Sequence, residues 1–197
     1  ECDAVVGYQE LIDRKDIDVI YMPLPTGLHE EWVVKALEAG KHIHIEKSLA
    51  MNYDSAKRMV ELAREKGLLI MENFMFIYHQ QHQFVKGLIA QGEIGEVRCF
   101  RSSFGFPPLE KDNFRYNSEL GGGALLDAAA YTVRVSQYFL GNDIKVEAAT
   151  LNTMNTEVDL FGGAYLKAPN GMFAEVAFGF DNFYQCNYEI WGSKGKI

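Results

Sequence analysis

The sequence lacks the features that mark several classes of protein. It has only three cysteines in 197 residues, Cys2, Cys99 and Cys186, and no Cys-x-x-Cys pair, which favours a reduced, cytoplasmic setting. Its 19 lysines and arginines against 27 acidic residues leave a net charge of −8, which argues against non-specific binding to nucleic acid. No apolar run approaches the roughly 20 residues that a membrane-spanning helix needs. We therefore expect neither a nucleic-acid nor a membrane partner.

Several motifs for catalysis and binding are also missing. No serine lies in a G-x-S-x-G elbow, which argues against a hydrolase triad. The run Gly121–Gly123 has neither the spacing of a dinucleotide fingerprint nor a strand directly before it. The pairs His42 with His44 and His79 with His82 have no acid or cysteine at a helpful spacing, although zinc needs three or four ligands. We therefore expect no metal site.

The first part of the chain alternates between strand and helix patterns. Short apolar strands are predicted at residues 18–22, 42–45 and 68–71. Two amphipathic helices lie between them, the first capped by Thr26 and ending at Gly40, the second capped by Asn52 and ending at Gly67. This order at this spacing predicts βαβ units, and therefore an α/β region with a parallel sheet.

The pattern changes after residue 71, where we place a domain boundary, giving domains 1–71 and 72–197. A helix is predicted at 79–91, and another at 124–140 with Leu126, Ala130, Val133 and Leu140 as its apolar stripe. Longer strands are predicted at about 96–106, 144–154, 160–168, 172–180 and 185–191. The sequence Pro169-Asn-Gly171 is typical of a hairpin turn. This part predicts an α+β domain with a large, mainly antiparallel sheet and helices on one face.

Lys47 is the most informative charged residue, because it follows Glu46 at the end of a predicted parallel strand. Ligands of open α/β sheets bind at the carboxyl ends of the strands. A positioned ammonium there can bind a reacting oxygen or a cofactor ribose, while the alternative is an ordinary surface ion pair. The loop at residues 22–29, with Pro23 and Pro25, is equally consistent with a ligand-binding turn and with a stiff connector.

Asp127 and Tyr131 form the second candidate pair. They are four residues apart on a predicted helix, and therefore on one face of it, directly after the glycine run. A phenol and a carboxylate on one face can supply a proton donor and an acceptor for a substrate hydroxyl. The alternative is a core tyrosine whose hydroxyl is satisfied by Asp127.

Three segments in this order resemble the Gfo/Idh/MocA family of NAD(P)-dependent oxidoreductases. Residues 18–29 with 39–47 resemble the last strands of its Rossmann half, residues 91–97 the beginning of its second domain, and residues 121–131 its active-site helix. The resemblance covers nearly the whole chain. It implies the C-terminal part of a Rossmann parallel sheet followed by the α+β domain, and an NAD or NADP cofactor.

The resemblance also implies roles for individual residues. Lys47 corresponds to the catalytic lysine, and Tyr131 stands where many members carry histidine, as the proton donor or acceptor. Asp127 is expected to bind a substrate hydroxyl. The residues implied in cofactor binding are Pro23, Leu24, Pro25, His29, Glu46, Lys47 and Arg115. Those implied in substrate binding are Asn73, Phe106, Asp127 and Tyr131.

Within the family, the chain looks most like sugar 3-ketoreductases that act on nucleotide-linked deoxysugars, and dihydrodiol dehydrogenases are the close alternative. The segments behind this are 72–74, 106–108 and 114–116, together with Tyr131. A non-catalytic sugar-sensing protein on the same fold is the alternative from another class, because fold does not determine function. A homo-oligomer through residues 144–190 is expected, because a wide, partly apolar sheet face is commonly buried against another subunit.

Two departures from the family pattern stand out. Glu-Lys-Pro reads Glu46-Lys47-Ser48 here, and the loss of proline is expected to loosen the backbone, because proline fixes φ. The Gly-rich loop that would bind the pyrophosphate is absent from these 197 residues, as are the first Rossmann strands. We therefore expect the chain to be truncated at both ends, with roughly two βαβ units missing at the start.

Overall fold

The computed structural model describes residues 3–197, so Cys2 lies outside the described residues. The chain divides into two compact units. The first runs to Asn73 and includes Glu119–Gly121, and the second comprises Phe74–Ser118 and Gly122–Ile197. The division into domains at residues 71 and 72 stays a prediction. None of the helices in the described part has the length and apolar character that a membrane crossing requires.

The first unit is a parallel sheet with helices. Its elements in chain order are α1 (Tyr8–Asp13), β1 (Val19–Met22), α2 (His29–Glu38), β2 (His42–Glu46), α3 (Tyr53–Glu65) and β3 (Ile70–Asn73). The strands pair in the order β1-β2-β3, all parallel. This confirms the predicted βαβ pattern, although β3 lies two residues later than predicted.

The helix starts in the first unit agree only in part with the sequence prediction. Asn52 caps α3 as predicted, because its side chain accepts the Ser55 N–H at 2.9 Å. Thr26 does not cap α2. It begins a 3₁₀ turn, Thr26–Leu28, and α2 starts at His29 without a side-chain cap. The 3₁₀ turn inserted after Pro25 delays the first α-helical hydrogen bond by three residues.

The core of the first unit lies between the sheet and its two longer helices. Alternate strand residues point toward α2 and α3, as the period of two in a strand requires. The buried apolar side chains are Ile12, Ile20, Met22, Val33, Ala36, Leu37, Ile43, Ile45, Met59 and Ala63. Hence the strand ends that carry Glu46 and Lys47 rest on a packed, rigid layer.

The second unit is built around a five-stranded sheet. Its elements are α4 (Gln80–Ala90), β4 (Val97–Gly105), α5 (Ala128–Leu140), β5 (Lys145–Asn152), β6 (Phe161–Lys167), β7 (Phe173–Gly179) and β8 (Gln185–Gly192). The strand order is β5-β6-β7-β4-β8, and every neighbouring pair is antiparallel except β4 with β7, which is parallel. The predicted α+β arrangement with a mainly antiparallel sheet is confirmed.

Helix α5 covers β4 and β7 and differs from its prediction. It begins at Ala128 rather than at residue 124, because residues 124–127 form a turn ahead of it. Of the predicted stripe only Leu140 is buried. The buried face consists of Ala128, Ala129, Thr132, Val135, Ser136 and Leu140. Small residues on this face let the helix lie close to the sheet.

Candidate active site

The carboxyl ends of the three parallel strands align in the first unit. Met22 in β1 pairs with Ile45 in β2, and Glu46 in β2 pairs with Asn73 in β3. All three strands therefore end at one edge of the sheet. Lys47 follows Glu46 directly, and its peptide bond to Ser48 is cis. The sequence prediction that Lys47 stands at the carboxyl edge of a parallel sheet is confirmed.

Glu46 is held by side chains from both neighbouring strands. Its Oε1 accepts hydrogen bonds from the Tyr21 hydroxyl at 2.6 Å and from Asn73 Nδ2 at 2.7 Å. Burial acts to raise the pKa of Glu46. The two hydrogen bonds and the charges of His44 and Lys47 more than offset this and hold that pKa below its ordinary value. Glu46 is therefore a fixed anion beside Lys47.

The loop between β1 and α2 is fastened from inside by His29. This side chain is fully buried, with Nε2 2.8 Å from the Leu24 carbonyl and Nδ1 3.2 Å from the Leu49 carbonyl. Pro23 is exposed, and Leu24 and Pro25 are half-buried. His29 therefore acts on the loop from the core, and its predicted contact with a cofactor has no support in these contacts.

Tyr131 lies in an aromatic surround in the second unit. Its ring packs edge-on against Phe104 and Phe74, with centroids 5.2 and 6.0 Å away, and is tilted against Phe76 at 6.2 Å. Phe104 in turn contacts Phe106, which stacks on Phe180 at 5.1 Å. Rings on several sides restrict the orientation of the phenol, and Phe106 is part of this packing.

A cavity of about 570 Å³ adjoins Tyr131 within the second unit. Phe76, Phe104, Val135 and Tyr188 contribute to its mostly apolar wall. On another part of that wall, His82 Nδ1 lies 3.1 Å from the Tyr188 hydroxyl. Burial lowers the pKa of His82 and raises that of Tyr188, so both are neutral near pH 7. The cavity has the size and lining of a small-molecule site.

Asp127 is paired with Arg115. The Arg115 Nε–H donates to Asp127 Oδ2 at 2.5 Å, and the Asp127 side chain is only 16% exposed. Asp127 occupies the N-cap position of α5, but its side chain makes no capping hydrogen bond. The structure thus ties Arg115, predicted to contact the cofactor, to the carboxylate predicted to bind the substrate.

The glycine run brings two backbone segments into close contact. The N–H of Gly122 donates to the Asn117 carbonyl at 2.9 Å, and that of Gly123 to the Arg115 carbonyl at 3.0 Å. A Cβ at Gly122 would clash with the Arg115 and Asn117 carbonyls. Glycine is therefore required here by packing, in agreement with the predicted close approach of a backbone.

The predicted site residues are divided between the two units. The first unit holds Pro23, Leu24, Pro25, His29, Glu46, Lys47 and Asn73, and the second holds Phe106, Arg115, Asp127 and Tyr131. Sequence reasoning missed Tyr21 and Asp159, whose partners come from distant parts of the chain. No local pattern marks Tyr21 in the sequence, because its strand is apolar or aromatic throughout and the alternation of burial is seen only in the fold.

No metal centre is found in residues 3–197. Within that range, no group of three or more His, Cys, Asp or Glu side chains is arranged to hold an ion. His42 Nδ1 instead accepts the Leu69 N–H at 2.9 Å. His79 uses its side chain to accept the Gln81 N–H at the start of α4. These two histidines thus have local structural roles.

Comparison with protein-family models decides the family. A model of the GFO/IDH/MocA C-terminal domain matches residues 82–197. The chain belongs to the Gfo/Idh/MocA family. A further model, described as the oxidoreductase family with an NAD-binding Rossmann fold, matches residues 1–74 of this Gfo/Idh/MocA chain. The resemblance stated from the motifs is confirmed.

Individual relatives of this Gfo/Idh/MocA chain include sugar reductases. A dTDP-3,4-didehydro-2,6-dideoxy-alpha-D-glucose 3-reductase of Saccharopolyspora spinosa is 46% identical over the whole chain. A solved structure of a 3-ketoreductase from Actinomadura kijaniata, in complex with NADP and TDP-benzene, is 44% identical with a TM-score of 0.94 over 98% of the chain. A trans-1,2-dihydrobenzene-1,2-diol dehydrogenase of Xenopus laevis is 35% identical over 75% of the chain and 44% of its own length. The chain spans 60% of the first relative's length and 59% of the solved protein's.

Proposed function

We propose that the whole protein is an NADP-dependent oxidoreductase that reduces a keto group of a nucleotide-linked deoxysugar. The observation that carries the proposal is Tyr131, a phenol oriented by aromatic rings at the wall of a cavity of about 570 Å³. The identity of 40–46% to four 3-reductases of dTDP-linked deoxysugars supports the substrate class. The NADP in the solved 3-ketoreductase supports that cofactor over NAD.

Lys47 and Tyr131 carry the chemistry in this proposal. Tyr131 gives a proton to the ketone oxygen, and Lys47 stabilises the negative charge that develops on it. The solved relatives include variants of the Actinomadura kijaniata enzyme with a substituted lysine and with a substituted tyrosine. The spacing between those two positions equals the spacing between Lys47 and Tyr131. Asp127 is held in place by Arg115 and accepts a hydrogen bond from a substrate hydroxyl.

The carboxyl edge of the first unit's sheet has the chemistry to hold the nicotinamide half of the cofactor. Three strand ends align there, Glu46 and Lys47 present a fixed anion and an ammonium, and Pro23 is an exposed apolar group. Leu24 and Pro25 complete the proposed wall, and Arg115 stays the proposed contact in the second unit. When bound, the nicotinamide supplies a hydride to the ketone carbon. The chain's own residues orient the substrate and hold the proton.

Turnover by the full-length protein tests this proposal. Initial rates are measured with NADPH and NADH against keto-sugar nucleotides and, in a parallel arm, against aromatic trans-diols with NADP. Reduction of the keto-sugars supports the proposal, and activity on the diols alone would replace it with the dihydrodiol dehydrogenase that the Xenopus relative favours. Binding of a sugar nucleotide without turnover in either arm would point to the sensing protein.

Variants of Tyr131 and Lys47 test the assigned roles. Tyr131→Phe should lower kcat by about 10²–10⁴-fold, because positioned acid catalysis contributes on that scale. Tyr53→Phe, at a tyrosine 77% exposed in the first unit, is the matched control and should leave kcat unchanged. For Lys47→Ala, an unchanged rate together with an unchanged cofactor affinity would refute its assignment.

We also propose a homo-oligomer that buries the outer face of the second unit's sheet, within residues 144–190. Tyr165, Glu175, Arg101 and Glu189 form one row across four strands. Tyr165 is 39% exposed and stacks on Phe173. Arg101 pairs with Glu175 at 2.6 Å within the chain, so the row combines aromatic area with charges that are already compensated. A monomer in light scattering at micromolar concentration would contradict the proposal, and Tyr165→Glu should lower the mass where Tyr53→Glu does not.

The cytoplasmic setting is part of the same proposal. Cys99 is buried and Cys186 is exposed, and both are free thiols in the structure. Burial raises the pKa of the Cys99 thiol. A protonated, buried thiol resists oxidation, whereas an exposed one such as Cys186 depends on a reducing surrounding.

A further inference from the structure

Asp159 fastens the turn that leads into α5. Its main-chain carbonyl accepts the Ala124 N–H at 2.8 Å, and its side-chain Oδ2 accepts the Leu125 N–H at 2.7 Å. One residue thereby holds two successive amides of the segment between the glycine run and the helix. Asp159 itself lies in the segment just before β6, so it joins this turn to the sheet.

The fastening by Asp159 leaves the Asp127 carboxylate with a different partner. An aspartate at an N-cap normally accepts an N–H from the first turn of its own helix. Asp127 occupies that position but makes no such bond, and its Oδ2 accepts from Arg115 instead. Because Asp159 satisfies the amide of Leu125, the end of the helix is anchored without help from Asp127.

The glycine run is shaped around Asp159. Gly123 has a φ of +108°, and a Cβ there would lie 2.5 Å from Asp159 Oδ1. A side chain at this position is therefore excluded both by the backbone conformation and by the carboxylate. The third glycine of the run lets the turn close onto Asp159.

Asp159 is an electrostatically unfavourable choice for a purely structural anchor. Burial raises the pKa of its carboxyl above the ordinary value, although the amides of Leu125, Asp159 and Ala124 act in the opposite direction. A half-buried charge that is not fully compensated lowers stability. Its presence is more readily explained by the geometry that it imposes on α5.

We propose that Asp159 is a positioning residue for catalysis, acting through the backbone of Ala124 and Leu125 on Asp127 and Tyr131. This inference rests on the proposed function of that pair. Rotation or fraying of the turn would move Asp127 at the start of α5 and Tyr131 one turn later. A misplacement of about 1 Å can lower a rate by about 10²-fold, so a second carboxylate that touches no substrate can still set kcat.

The test compares Asp159→Ala and Asp159→Asn in the full-length protein. Asp159→Ala removes the acceptor for Leu125 and should lower kcat by about 10–100-fold with little change in KM. Asp159→Asn keeps an oxygen that can accept the same N–H and should recover a large part of the rate. The control is Asp143→Asn, an exposed aspartate beyond the other end of α5, which should behave as the wild type.

Hydrogen exchange supplies a readout that does not depend on turnover. In Asp159→Ala the amides of residues 124–127 should exchange faster, while those in the middle of α5 stay protected. Unchanged exchange at Leu125 would overturn the inference, as would a wild-type kcat in Asp159→Ala, or equal losses in the Asn and Ala variants. If the wild type turns over no keto-sugar nucleotide, the proposed function fails, whereas the exchange pattern still decides whether Asp159 anchors the turn.

Discussion

The two units hold their candidate site residues by different physical means. In the first unit, side chains from neighbouring strands converge on Glu46, and His29 ties the adjoining loop to the backbone at Leu49. In the second unit, the glycine run is held by backbone-to-backbone hydrogen bonds from the amides of Gly122 and Gly123, and Asp159 adds one side-chain acceptor to the turn that follows. Side-chain supports can be removed one at a time by mutation, whereas the backbone contacts of the glycine run are damaged mainly by adding atoms.

The largest effect is expected when the first unit loses its buried support. His29→Leu keeps an apolar body but removes the ring N–H, so the carbonyl that accepts it, that of Leu24 or of Leu49, loses its donor. A loss of about 3 kcal/mol in the free energy of unfolding is expected, at the upper end of the range of about 1–3 kcal/mol for one unsatisfied group, because His29 is fully buried. Urea unfolding of the full-length protein measures it.

His29→Gln is the matched variant, because its amide retains one N–H₂ donor that can reach a carbonyl. It should fall between the wild type and His29→Leu. Equal stability of all three proteins would show that the contacts of His29 contribute nothing to stability. The claim that side chains support the site in the first unit would then fail for His29.

A smaller effect is expected from adding one methyl group to the second unit. In Gly122→Ala the Cβ meets the carbonyls of Arg115 and Asn117, which are backbone atoms with little freedom to shift. A loss of about 2 kcal/mol in the free energy of unfolding is expected, which is within the range for overpacking. The midpoint temperature of thermal unfolding and kcat should both fall.

Gly87→Ala provides the control for this added methyl. Gly87 lies inside α4, and a Cβ there would meet nothing within 4 Å. This substitution should raise stability by about 0.5–1 kcal/mol, because alanine favours the helix over glycine. A shift of the unfolding midpoint in the same direction for both substitutions would contradict the claim that close backbone contact is what makes a methyl group at Gly122 destabilising.

The smallest effect is expected from Asn73→Ala, which removes one of the two donors to Glu46. A loss of about 1 kcal/mol in the free energy of unfolding is expected at neutral pH. The folded-state pKa of Glu46 lies below its ordinary value of 4.5, so the stability that it contributes is present above pH 4.5 and is lost as the pH falls through the folded-state pKa. The difference between variant and wild type should therefore shrink in acid.

Stability curves against pH for both proteins make this measurement. A difference that stays constant down to the pH at which Glu46 is protonated would show that Asn73 acts on something other than that carboxylate. A raised KM without any loss of stability would instead support the predicted role of Asn73 in substrate binding.

Much of the fold could be predicted because its signals are local. Short apolar runs marked the three strands of the first unit, and Asn170-Gly171 marked the turn between β6 and β7, where Gly171 has a φ of +88°. The start of α2 and of α5 could not be predicted in the same way. Each depends on a turn packed by other parts of its unit, as the Gly27 N–H does when it donates to the Leu120 carbonyl.

The candidate site could be predicted only where a motif identified it. Lys47, Asp127 and Tyr131 lie in segments with a family pattern, and the family itself is confirmed. Tyr21, Asp159 and the pairing of Arg115 with Asp127 could not be read from the sequence, since each contact joins residues far apart in the chain. No local signal in the sequence shows from which amides a single aspartate before a strand will accept hydrogen bonds.

The position of β4 in the sheet has a consequence for how the second unit folds. It lies between β7 and β8, both of which are made much later in the chain. Until the ribosome has delivered those strands, both edges of β4 are unpaired and it has no neighbouring strand. Such long-range pairing slows folding, and open edges expose a nascent chain to aggregation. We therefore expect this unit to depend on chaperones during synthesis more than the first unit does, since in the first unit each strand pairs with the next one made.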